Sequence, residues 1–250
     1  MRKLAMNFGF ILLTGWVATT AWAGEEEADV VVPLSCEGSG LNIILGTSNN
    51  DVLNGTEGAD CIDGRGGSDV INGRGGDDLI IGGEGDDTLN GNQGDDQLEG
   101  GGGQDVLNGN AGNDELAGGQ GDDRIFGGEG DDFLYGDEGQ DQLSGENGND
   151  VLFGLDGDDQ EFGGNGNDGL SGGPGNDRLD GGPGDDEVGS LVFFESGDDV
   201  LIGGTGNDFL TDCVDRNQFD GGAGNDDCEP SPNSNNRTSC EVITACPTGA

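Results

Sequence analysis

The sequence predicts an all-β solenoid of about ten stacked coils, on three observations. From Gly46 to Gly189 the chain is sixteen consecutive nine-residue units without insertion or deletion. After four extra residues, Ser190 to Phe193, the frame resumes at Phe194 for four more units and ends at Glu229. Asp holds the sixth place in nineteen of the twenty units, Gly the fourth in eighteen, and Leu, Ile, Val or Phe the eighth in eighteen. A fixed period of this length marks a repeat architecture in which each unit buries its apolar side chain only by stacking on its neighbours. With 56 Gly in 250 residues, composition alone describes a disordered acidic chain; the constant register argues against that.

The first 23 residues have the layout of a signal peptide. Arg2 and Lys3 precede an apolar run from Phe8 to Ala18, and Ala21-Trp22-Ala23 forms a small-x-small cleavage site before Gly24. The run is short for a bilayer span, and no other stretch of the chain could form one. Cys36 lies too far beyond it for a lipoprotein signal. Removal of the signal leaves six basic residues against 52 acidic ones, a net charge of −46, with no lysine and no histidine. Such a chain repels nucleic acid and anionic membrane surfaces and resists compaction unless cations neutralise it.

Residues 24–45 read as an N-terminal cap. Asp29 to Leu34 and Leu41 to Leu45 are apolar and β-branched, as a first strand covering the open end of a stack would be. Within each unit, glycine at the first, fourth and often the second place permits positive φ and close approach of the backbone to a ligand. Asp or Asn at the fifth place in fifteen units tolerates left-handed geometry. The expectation is a turn over places one to six with its carbonyls pointing inward, then a short strand over places seven to nine with only the eighth side chain inward. Two units then close one coil of eighteen residues.

Stacking coils at about 4.8 Å lines up the sixth-place carboxylates along each edge. Such carboxylates repel one another by roughly 1 kcal/mol per pair in water and by several times that near a protein surface, and a hard cation between the turns reverses the sign. Calcium suits the site because it takes six to eight oxygen ligands at flexible angles. Magnesium wants a tighter octahedron, and zinc wants nitrogen and sulfur ligands. The candidate ligands are Asp60, Asp69, Asp78, Asp87, Asp96, Asp105, Asp114, Asp123, Asp132, Asp141, Asp150, Asp159, Asp168, Asp177, Asp186, Asp199 and Asp208.

Six cysteines survive into the exported chain: Cys36, Cys61, Cys213, Cys228, Cys240 and Cys246. An even count in an exported protein reads as disulfides, and six permit fifteen pairings. Two cysteines lie at the N-terminal end of the array and four at the C-terminal end. They are therefore expected to staple the ends of the stack, with Cys36 to Cys61 the favoured pair. From Pro230 the repeat stops, leaving residues 230–250 as a short, flexible Cys/Pro-containing tail.

The unit Gly-Gly-x-Gly-x-Asp-x-(aliphatic)-x, well kept in Gly82-Gly83-Glu84-Gly85-Asp86-Asp87-Thr88-Leu89-Asn90, resembles the calcium-binding repeat of the RTX, or haemolysin-type, proteins over Gly46 to Glu229. The resemblance implies a parallel β-roll with calcium between successive turns, held by the Asp carboxylates and by backbone carbonyls of the glycine-rich loop. The carbonyls in question are those of Gly64, Gly73, Gly82, Gly91, Gly100, Gly109, Gly118, Gly127, Gly136, Gly145, Gly154, Gly163, Gly172, Gly181 and Gly203. Many family members lack cysteine and a signal peptide and leave through a one-step channel. The signal peptide and cysteines here imply the general secretory route instead, to the periplasm or the extracellular space.

Enzyme readings fail on inventory. Without histidine there is no His-Glu-x-x-His site and no Ser-His-Asp triad, and without lysine in the exported chain there is no P-loop. Gly169-Leu170-Ser171-Gly172-Gly173 matches Gly-x-Ser-x-Gly only because it straddles two units. The sequons Asn54-Gly55-Thr56 and Asn236-Arg237-Thr238 carry no assigned role. Phe126, Phe133, Tyr135, Phe153 and Phe162 fall at outward places of the middle units, and Tyr135 and Phe153 lie on adjacent coils. They are expected to stack across coils, or else to offer a patch to a cell-surface or matrix protein or a saccharide. Thr47, Thr56 and Thr205 do not form the ladder that an ice-binding face needs. The thirteenth unit is the odd one, with Leu155 at the second place and Glu161 at the aliphatic eighth. Its strand is expected to shift locally, burying Phe162 and exchanging hydrogens faster than its neighbours, or Glu161 to reach a calcium or solvent. The function expected is that of an exported calcium-binding repeat protein that folds on calcium, in a structural or surface role, without catalytic activity.

Overall fold

The computed structural model describes residues 36, 41–189, 197–212, 217–230, 236–238 and 242–243. The signal peptide, most of the cap, the insertion at 190–193 and Cys213, Cys240 and Cys246 lie outside them. Among the described residues the chain alternates between two parallel sheets. One has twelve strands, beginning with Asn42–Leu45 and Asp60–Gly66, and the other has eleven, beginning with Val52–Asn54 and Val70–Gly75. Up to the insertion each strand pairs with the one eighteen residues on, as Leu134 does with Leu152 and Leu107 with Ile125. No helix among the described residues is long and apolar enough to cross a membrane. This is the expected parallel β-roll.

Most of its described strands are longer than the expected three residues. A typical strand, Thr88–Gln93, runs from the seventh place of one unit through the third place of the next, so only places four to six bend. Glycine-rich residues of low strand propensity enter the ladder here because stacking identical coils gives their buried backbone groups partners in the coil above or below. With side chains alternating along such a strand, the eighth and first places face inward. The eighth-place side chains make the core, from Ile62 and Ile71 through Leu134 and Leu143 to Phe219 and Cys228, nearly all of them fully buried.

The glycine requirements also differ from expectation. Positive φ falls at the fourth and second places and, once, at the ninth-place Gly189; the first place does not need it. At the fourth place the need is for space as well. A Cβ on Gly85, whose φ is 124°, would sit 2.6 Å from the Gly67 carbonyl oxygen of the coil below. At the second place positive φ is imposed even on non-glycine residues, including Arg65, Asn92, Glu146 and Leu155, the last with φ 70°. Fifth-place residues are not left-handed. Their side chains instead accept hydrogen bonds from the backbone of the next coil, as Asp95 Oδ1 does from the Asn113 N–H (2.8 Å) and Asp131 Oδ1 from the Asn149 N–H (2.8 Å).

The ladder extends beyond the units read from sequence. Asn42 pairs with Asp60 and Ile44 with Ile62, which makes 42–45 the strand of a further unit with Asn at the sixth place. In the tail, Asn236–Thr238 and Val242–Ile243 add one strand to each sheet by pairing with Gln218–Asp220 and with Asp227 and Cys228. Across the insertion the pairing step changes from eighteen to twenty-two, as in Arg178 with Val200, and the register is kept. Cys36 and Cys61 form a disulfide, and Cys228 is disulfide-bonded and fully buried.

Neither a strand shift at the thirteenth unit nor exposure of Glu161 occurs. Glu161 stays in register between Leu143 and Leu179 and is fully buried, whereas Phe162 remains 38% exposed. A shift by one residue would turn every side chain of the strand to the opposite face, and the core on both sides forbids it.

Candidate metal centres

Because the first place faces inward and carries no side chain, the sixth-place Asp of the same unit folds over it. From Asp60 to Asp226 these residues are all buried. From Asp69 on, Oδ1 accepts a hydrogen bond from the backbone N–H of the sixth-place residue one coil earlier. Asp96 N–H donates to Asp114 (2.8 Å), Asp123 N–H to Asp141 (2.7 Å) and, across the insertion, Asp177 N–H to Asp199 (2.9 Å). The Oδ2 atoms of Asp69, Asp78, Asp87, Asp96, Asp105, Asp114, Asp123, Asp132, Asp141, Asp150, Asp159, Asp168, Asp186, Asp208 and Asp226 are buried without any hydrogen-bond partner. One buried, unsatisfied acceptor costs about 1–3 kcal/mol, and more when charged. A series of them along each edge is tolerable only if something cationic completes them.

The oxygens converge. The point where a Cβ on Gly136 would stand is 2.5 Å from Asp141 Oδ2 and 2.5 Å from the carbonyl oxygen of Gly154 on the next coil. Over Gly163 the same pair is Asp168 Oδ2 (2.5 Å) and Gly181 O (2.6 Å), and over Gly181 it is Asp186 Oδ2 (2.6 Å) and Gly203 O (2.7 Å). The carbonyls of Gly82, Gly91, Gly100, Gly118, Gly127, Gly136, Gly154, Gly163, Gly172, Gly181 and Gly203 each meet a sixth-place Asp in this way. Over Gly91 and Gly127 the nearest atoms all belong to Asp96 and Asp132, so the carbonyls of Gly109 and Gly145 stand farther back. Among the described residues no three Asp, Glu, Cys or His side chains gather into a metal cage. Each cradle is one carboxylate with backbone carbonyl oxygens. This hard, oxygen-only donor set suits calcium and not zinc.

The N-terminal end differs. Asp60 Oδ2 already accepts hydrogen bonds from the Thr56 N–H (2.5 Å) and hydroxyl (3.0 Å), and Asn42 donates to its Oδ1. Burial pushes the Asp60 carboxyl upward, but these donors outweigh it and hold the group below the usual carboxylate range. Asp51 Oδ2 is satisfied likewise by the Thr47 N–H (2.7 Å) and hydroxyl (2.8 Å), and the three atoms nearest the corresponding point over Gly46 all belong to Gly64. Asp60 Oδ2 and the Gly73 carbonyl oxygen still meet over Gly55, but that Oδ2 already accepts hydrogen bonds, and cradles whose Oδ2 has no hydrogen-bond partner begin at Asp69. Two donors that sequence reasoning omitted join at the other end: Asp226, and the Gly221 carbonyl beside Asp208. They sit in the units whose pattern degrades.

Between Asp78 and Asp168, and again at Asp186, burial raises the sixth-place carboxyls well above their ordinary value. The backbone N–H bonds oppose the rise, and repulsion from neighbouring carboxylates adds to it. Asp87, Asp96, Asp123, Asp132 and Asp168 are pushed to about 6, and Asp78, Asp105, Asp114, Asp150, Asp159 and Asp186 to about 7. Asp141, with Asp159 and Asp123 beside it, reaches about 8. Without a cation, the anionic form the cradles need is the form the fold disfavours.

On the outer faces, Tyr135 and Phe153 stack with ring centroids 5.5 Å apart and planes 8° from parallel, the cross-coil contact expected of them. Phe133 stays exposed, and Phe126 lines a shallow groove with Asn108, Asn110 and Glu146.

A family model described as RTX calcium-binding nonapeptide repeat (4 copies) matches in overlapping copies that run from residue 38 to 188 and again from 195 to 228. No curated protein matches the chain.

Proposed function

The chain belongs to the RTX family of calcium-binding nonapeptide-repeat proteins, and from that premise we propose that it is an exported scaffold whose fold is completed by calcium and whose role is structural or surface-directed, not catalytic. The observation that carries this reading is the series of buried, partnerless Oδ2 atoms facing first-place carbonyls on the next coil. The sixth-place Asp side chains from Asp69 to Asp208 would hold the ions together with those carbonyls. Bound calcium would supply the positive charge that the −46 chain lacks. The chain itself contributes rigid placement: each Oδ1 is fixed by a backbone N–H, which leaves Oδ2 as the one oxygen aimed at the cradle.

Export follows from the signal-peptide layout of residues 1–23, and the extracellular space or periplasm supplies the oxidising conditions for Cys36–Cys61. Any partner, a surface or matrix protein or a saccharide, would meet the outer face around Phe126 and Phe133. The test is equilibrium dialysis of the mature chain against calcium. Several ions bound per chain are expected, and one ion or none would overturn the reading.

A further inference from the structure

The eighth-place side chain of a unit lies beside the cradle of that unit as well as in the core. Over Gly64, the point where a Cβ would stand is 2.6 Å from the Gly82 carbonyl oxygen and 3.2 Å from Cδ1 of Ile71, the eighth-place side chain. In the thirteenth unit that neighbour is Glu161. Over Gly154 the corresponding point is 2.5 Å from Asp159 Oδ2, 2.7 Å from the Gly172 carbonyl oxygen and 2.9 Å from Glu161 Oε1. The Gly154 N–H donates to Oε1 at 2.8 Å and fixes the carboxyl in that position. Asp159 is equally constrained: its Oδ1 accepts the Asp141 N–H at 2.8 Å, while its Oδ2 is buried without a partner.

We propose that Asp159, Glu161 and the Gly172 carbonyl form a two-carboxylate calcium site, different in kind from the one-carboxylate cradles along the rest of the roll, and that it fills first. The proposal rests on the reading of the cradles as calcium sites. Two carboxyls converging in a buried space repel when both are anionic, and a divalent cation between them turns that repulsion into attraction. Affinity at oxygen-ligand sites rises with the number of charged ligands and with rigidity, and here both carboxyls are held by backbone N–H groups. A tight site in mid-array also gives the nearest-neighbour ladder a place to begin ordering in either direction.

The experiment is a calcium-binding isotherm on the mature chain and on two variants, Glu161→Leu and Glu161→Gln. The first restores the aliphatic residue found in the other core positions, so it has no reason to misfold; the second removes the charge and keeps the shape. The wild-type chain is expected to bind one ion about tenfold more tightly than the rest. Both variants should lose that ion, keep the weaker ones and reach the same circular dichroism spectrum in saturating calcium. A single uniform class of sites in the wild type, or a tight ion that survives in either variant, overturns the proposal. No binding by any of the three chains would overturn the calcium reading beneath it.

Discussion

Substituting Gly136 by alanine probes the cradle with one methyl group. The φ of Gly136 is not in the positive range, so the backbone accepts an L residue and the only obstacle is space. The new Cβ would lie 2.5 Å from both Asp141 Oδ2 and the Gly154 carbonyl oxygen, and the second belongs to the backbone of the next coil. Making room means parting two coils locally, and overpacking of this kind costs about 1–3 kcal/mol. The loss of unfolded-chain freedom on replacing Gly with Ala returns about 0.4–1 kcal/mol, which leaves a net destabilisation of roughly 1–2 kcal/mol. The control is Gly102→Ala, whose Cβ would come no closer than 3.5 Å to any neighbour, at Glu84 Oε2, and which keeps only the favourable contribution. The assay is urea unfolding in saturating calcium, with calcium stoichiometry measured alongside. Gly136→Ala should unfold at lower urea and bind fewer ions than Gly102→Ala. Equal midpoints and equal stoichiometry would refute the assignment of the cradle.

Three further perturbations follow from the same geometry. The sixth-place carboxyls from Asp78 to Asp168, and Asp186, sit at about 6 to 8 in the metal-free fold against an ordinary 3.8, so the fold binds protons that the unfolded chain does not, and its stability falls as pH rises from about 4 through 8. Each tenfold gain in proton affinity on folding is worth about 1.4 kcal/mol, so acidification to pH 4 in metal-free buffer should restore β-structure, and the calcium concentration at half-maximal β-structure should fall as pH falls from 8 to 5; a midpoint independent of pH would contradict this. Leu134→Ala empties a fully buried core position whose coils cannot collapse inward, and should cost about 2–5 kcal/mol by urea unfolding in calcium. Reducing Cys36–Cys61, which closes 25 residues, should lower the protection of the first coils by about 3 kcal/mol in hydrogen exchange and leave those near Leu134 unchanged.

The sequence spelled out the period, the core column and the carboxylate column because each depends on one residue type at one place, as Leu89 and Asp87 do. It hid the true strand length, since the glycines at places one to three join the ladder through stacking and not through any preference of their own. Positive φ at the second place was obscured because seven non-glycine residues, Arg65 and Leu155 among them, adopt it. The earliest unit escaped notice because Asn42 stands in for Asp, and the hydrogen bonding that occupies Asp60 Oδ2 depended on Thr56, whose hydroxyl becomes relevant only once the turn is built. Glu161 was visible as a departure, but its direction was not: the register with Leu143 and Leu179 removed the strand-shift and solvent alternatives.

The central claim is that cations complete this fold, and far-UV circular dichroism of the mature chain tests it most directly. The spectrum is recorded in chelator at neutral pH and then across a calcium titration, with magnesium as the control. The account predicts a largely unfolded spectrum in chelator and a cooperative rise of β-structure at about 10⁻⁴ to 10⁻³ M calcium, with a much weaker response to magnesium. A full β-spectrum in chelator at neutral pH, or an equal response to magnesium, would contradict it.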